Sequence, residues 1–151
     1  FSLPDIVPRR KNPKGVGFSR EPERPSPVFC AGPLPRGVTP ALPATPRCGL
    51  QRYTAVEEGT MHLLVDLGFA INWDRPVDCM LSWDGTVLSG RRISSGWAEK
   101  QYIFFSSGFS KSPASVTMLN AGTVAAGEKT EGGEIVGILF FLVGEGGGGI
   151  V

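Results

Sequence analysis

The chain carries one imidazole, His62, and three thiols, Cys30, Cys48 and Cys79, so base-assisted nucleophilic catalysis would have to run through a single side chain. His62 stands in a strand-like run beside Leu63 and Leu64, which reads as a sheet-face or edge histidine. The cysteines show no CxxC spacing and no second histidine, so no zinc site is expected. Cys30 and Cys48 could close a loop, although small, partly buried thiols are the simpler reading. No HExxH or GxSxG occurs. The run Gly122-Thr-Val-Ala-Ala-Gly127-Glu128-Lys129-Thr130 approaches a phosphate-binding loop, but Glu128 precedes the lysine and would repel phosphate, so a turn is expected.

Carboxylates pair at Glu57 and Glu58 and at Asp74 and Asp78, with Asp84 beside a turn glycine. A glycosidase needs two carboxyls facing each other across a sugar, and nothing in these spacings makes a pair converge. A loop bearing Asp74 and Asp78 is a Ca²⁺ cue, against a default of solvated charges. No catalytic residue, metal or cofactor is assigned. Trp73, Trp83 and Trp97, with Tyr102 and Phe109, could form an aromatic platform for carbohydrate or another ligand, in competition with core and cross-strand packing. Trp83, just before a hairpin turn, is the one expected to be partly exposed.

The elements that must position these residues divide by composition. Proline and glycine together make about 23% of the 151 residues, against a typical ~12%. Eleven of the 13 prolines fall in residues 1–52, with nine basic and three acidic residues. The remainder holds six basic and eleven acidic residues, so a basic segment precedes an acidic one. Proline at this density excludes a long helix or a central strand, which leaves an extended arm. Four cations in six residues, Arg9, Arg10, Lys11 and Lys14, with Phe18, Arg20 and Arg24 following, are the candidate contact with a partner or with nucleic acid. An acidic protein surface suits this arm as well as a phosphate backbone does.

From Gly59 onward, period-two and short apolar runs recur between turn residues. Strands are expected near Met61–Phe69, Asp78–Trp83, Thr86–Ser89, Gln101–Ser106, Ser115–Leu119 and Glu134–Val143. Asp84-Gly85 between two such runs marks a hairpin. Asn72 to Pro76 reads as a loop, and Glu131-Gly132-Gly133 as a turn. Ile135–Val143 is apolar on both faces and suits a central strand, or one covered on its second face by another subunit or the arm, and at nine residues it is too short to span a membrane. Pro4, Asp5 and Pro8 interrupt the first apolar stretch, so no signal peptide is read there.

The expected architecture is all-β: an extended Pro-rich basic arm over residues 1–52, a β-sandwich or jelly-roll-like body over 53–145, and a flexible Gly-rich tail over 146–151. Such parts suggest a non-enzymatic assembly subunit of the viral coat, capsid-decorating, shell or filament kind, with the arm draped over copies of itself or a larger assembly, in a virion or an extracellular structure. The alternative is an extracellular-type carbohydrate- or protein-binding β-sandwich module.

Overall fold

The computed structural model describes residues 38–55, 57–70, 73–144 and 148–150. Arg9, Arg10, Lys11, Lys14, Phe18, Arg20 and Arg24 lie outside these residues. The described residues form eleven strands and no helix: β1 (Val38–Ala41), β2 (Arg52–Ala55), β3 (Gly59–Asp66), β4 (Arg75–Trp83), β5 (Val87–Ser95), β6 (Gln101–Gly108), β7 (Ser115–Asn120), β8 (Thr123–Val124), β9 (Lys129–Gly132), β10 (Ile135–Val143) and β11 (Gly148–Ile150). The all-β expectation therefore holds. Two four-stranded antiparallel sheets, ordered β3-β10-β7-β8 and β6-β5-β4-β9, pack in a sandwich-like way. A small sheet, β1-β2-β11, stands beside them.

Each of the six expected strands is present, with corrected boundaries: β3 ends at Asp66 and not at Phe69. β4 begins at Arg75 and β5 runs on to Ser95, so the expected loop through Pro76 is partly strand. Proline fits there because β9 pairs with β4 only over Cys79–Ser82, which leaves the edge beside Pro76 without a ladder that would need its missing N–H. β9 occupies the position read as a turn, because Lys129 to Gly132 has no apolar alternation to announce a strand. Arg52, assigned to the arm, opens β2, and the glycine-rich tail supplies β11, which pairs with it.

The hairpin at Asp84-Gly85 forms as expected. Gly85 takes φ +97°, and the Asp84 carboxylate accepts hydrogen bonds from the Thr86 and Val87 backbone N–H groups and the Thr86 hydroxyl. β10 lies between β3 and β7, and its alternate residues Ile135, Leu139 and Phe141 are buried in one cluster with Leu67, Cys79, Leu81, Leu88 and Met118. Each such large side chain contributes roughly 1.5–3 kcal/mol relative to exposure. On the outer face of the same sheet His62 stacks edge-on to Phe140 at 4.7 Å, consistent with a sheet-face histidine.

Candidate functional site

At one end of the β4–β5 hairpin, two tryptophans meet in the open. Trp73 precedes β4 and Trp97 follows β5. Their ring centroids stand 5.6 Å apart at 44°, with relative exposures of 58% and 85%. Large aromatic faces left in water at a turn-bearing sheet end are what a flat, partly apolar ligand such as a pyranose ring can cover. On β6, Tyr102, Ile103 and Phe104 are also exposed, alternating between the two faces of the sheet. Trp83 does not join the pair. It sits at the other end of β4, half-buried, with Phe109 at 6.1 Å, and Phe109 in turn packs on the buried Phe141. Trp83 is partly exposed, but Trp73 and Trp97 are more so, because the position before the turn lies over the core.

The carboxylates beside the pair face arginines. Asp74 lies 3.4 Å from the Arg92 guanidinium, and Asp78 lies 2.8 Å from that of Arg91. Arg91 and Arg92 are consecutive on β5 and so point to opposite faces, which separates the two aspartates instead of converging them. The Ca²⁺ cue read from their spacing is thus met by two ion pairs. Sequence reasoning did not single out Arg92 or Gly96. Counting outward from the Asp84-Gly85 turn in unbroken register would have set Asp74 opposite Trp97, so neither strand carried a signal for them.

Cys79 lies fully buried opposite Arg92 in the ladder, and its thiol reaches the Leu67 carbonyl at 3.5 Å. Burial pushes its pKa up, against the opposing pull of Arg92. Cys48 is free and exposed. Away from the tryptophans, a cleft of about 690 Å³ runs between the β3 and β6 edges, lined by Leu50, Tyr53, Leu63, Val65 and Phe105 among others. Among the described residues its lining holds no carboxylate, and Tyr53, whose pKa burial raises, is the ionisable group there.

The statistical model of the glycosyl hydrolase family 92 N-terminal domain matches residues 5–146. Among solved structures, a family GH92 α-mannosidase from Bacteroides thetaiotaomicron superposes with a TM-score of 0.82 at 18% identity, covering 89% of this chain and 19% of its own length. The structure of that protein has also been solved in complex with mannoimidazole. A GH92 inverting mannosidase from the same organism gives a TM-score of 0.73 at 18% identity, with 89% and 18% covered. This chain therefore spans about a fifth of the length of those proteins. At such identity the likeness is one of fold. No curated protein sequence matches the chain.

These matches overturn the expectation of a viral coat, shell or filament subunit, and with it the expectation that the chain has no part in an enzyme. The error has a physical source. Charge and proline content describe how a segment is solvated and how stiff it is, and neither says what the segment is used for.

Proposed function

The chain belongs to the glycosyl hydrolase family 92 N-terminal domain family, and from that premise we propose that it is the β-sandwich domain of a glycoside hydrolase acting on α-mannosides, with the Trp73–Trp97 face turned toward the sugar. The observation that carries the reading is the exposed tryptophan pair at the end of the β4–β5 hairpin. A mannose ring presents patches of C–H bonds between its hydroxyls, and an indole face covers such a patch while leaving the hydroxyls free for polar partners. Hydrolysis with inversion takes two carboxyls about 6.5–9.5 Å apart, one protonating the leaving oxygen and one activating water. Asp74 and Asp78 are engaged by arginines on opposite sheet faces. In this reading, the acid and the base come from the rest of the protein, and the domain binds and orients the substrate.

The test uses the full protein that carries this domain, assayed on an α-linked mannobiose with the anomer of the released mannose followed by proton NMR. Turnover with initial release of the β-anomer is expected. Trp73→Ala and Trp97→Ala should each raise KM about two- to twelvefold, the size of an aromatic contact of ~0.5–1.5 kcal/mol. Absence of mannoside turnover, or unchanged KM in both variants, overturns the reading.

A further inference from the structure

We propose that Asp74, Arg92 and Gly96 form a clamp that sets the distance and tilt of the Trp73–Trp97 pair. The use of the clamp rests on the sugar-facing reading above, whereas its geometry does not. Two rings as exposed as these have few packing neighbours to hold them, so their arrangement must be imposed by the backbone beneath. Asp74 is the residue after Trp73, and Gly96 is the residue before Trp97. These two neighbours are packed on each other: a Cβ at position 96 would stand 2.9 Å from Asp74 Oδ1 and 3.2 Å from Asp74 Cα. A side chain at position 96 would crowd Asp74, so glycine is what lets the two strands approach this closely.

The register explains why these residues meet. At the turn end of the hairpin Trp83 faces Leu88, but beyond a bulge between Pro76 and Asp78 the pairing shifts by one, so that Arg75 faces Ser95. Continued outward, the shifted register sets Asp74 opposite Gly96 and Trp73 opposite Trp97. Without the shift Trp73 would face Ala98 instead. The extra residue also reverses the alternation of side chains, which brings Asp74 to the face that carries Cys79 and Arg92. There Arg92, on the central strand β5 and with only 18% of its side chain exposed, holds the Asp74 carboxylate at 3.4 Å. Asp74 Oδ1 and Arg92 Nε are buried and have no hydrogen-bond partner among the described residues. A long, incompletely satisfied ion pair is a poor source of stability, which suits a positional role better than a stabilising one.

The experiment reads the rings directly. Two close indoles produce an exciton couplet in far-ultraviolet circular dichroism, and the difference between the full protein and its Trp97→Phe variant isolates the couplet of this pair. Gly96→Ala and Asp74→Ala should each lose at least half of that couplet while keeping the cooperative thermal transition, and should raise KM for the mannobiose. Asp74→Asn, which keeps an oxygen facing Arg92, should retain most of it. A couplet absent from the parent protein, or unchanged in Asp74→Ala, overturns the clamp. Should Gly96→Ala fail to fold, Asp74→Ala decides, since it removes atoms and adds none. A lost couplet with unchanged KM leaves the clamp standing and removes the sugar-facing reading. A raised KM in Trp97→Ala with full couplet in both clamp variants does the reverse.

Discussion

Gly137 and Leu81 touch across the sandwich: a Cβ at position 137, on β10, would stand 2.7 Å from Leu81 Cδ2, on β4 of the other sheet. The two sheets close on each other at this point because a strand otherwise rich in large apolar residues has no side chain there.

The contact makes opposite substitutions costly for different reasons. Leu81→Ala should destabilise by about 2–5 kcal/mol through a cavity in the fully buried core. Gly137→Val should lose about 1–3 kcal/mol through overpacking. Urea unfolding monitored by fluorescence measures both, and a loss below about 0.5 kcal/mol in either would show that the sheets re-space freely.

The tryptophans should separate by role. Trp97→Ala changes an exposed ring and is expected to shift stability by no more than about 0.5 kcal/mol. Trp83→Ala removes the ring that packs on Phe109 above Phe141, so it should lower the melting temperature clearly. Equal melting temperatures for the two variants would contradict the packing described for Trp83.

The β4–β5 turn should be acid-sensitive. Hydrogen bonds from Val87 and Thr86 hold the Asp84 carboxyl below the usual aspartate range. The unfolded chain therefore takes up this proton first, near pH ~3.9. The stabilisation is complete above that pH and is lost as pH falls through the lower folded value. Calorimetry from about pH 5 downward should show a steeper fall in melting temperature for the parent than for Asp84→Asn. Glu131, lowered by its contact with Lys129, leaves a residual slope in the variant. Parallel slopes would remove Asp84 as a contributor.

The two described thiols should differ in reactivity. Burial raises the Cys79 pKa and encloses its sulfur, while Cys48 is exposed. A maleimide reagent at neutral pH should label Cys48 in the native protein and Cys79 only after denaturation, as peptide mass mapping would report. Native labelling of Cys79 would mean that the sandwich opens beside Leu67.

The sequence alone was sufficient for the all-β class, for β10 as a central strand and for the Asp84-Gly85 hairpin, because period-two alternation and turn chemistry are local properties. β9 and β11 escaped it, since their short polar or glycine-rich segments become strands only by pairing with β4 and β2. Trp73, Trp83 and Trp97 could be named from residue type, but which of them share a surface depends on the one-residue register shift between Pro76 and Asp78. That shift is a matter of how two strands fit each other, and no single strand encodes it. The charge asymmetry was equally legible while its partner was not: net charge reports that a surface attracts, and it is the match to the glycosyl hydrolase family 92 N-terminal domain over residues 5–146 that replaces the shell.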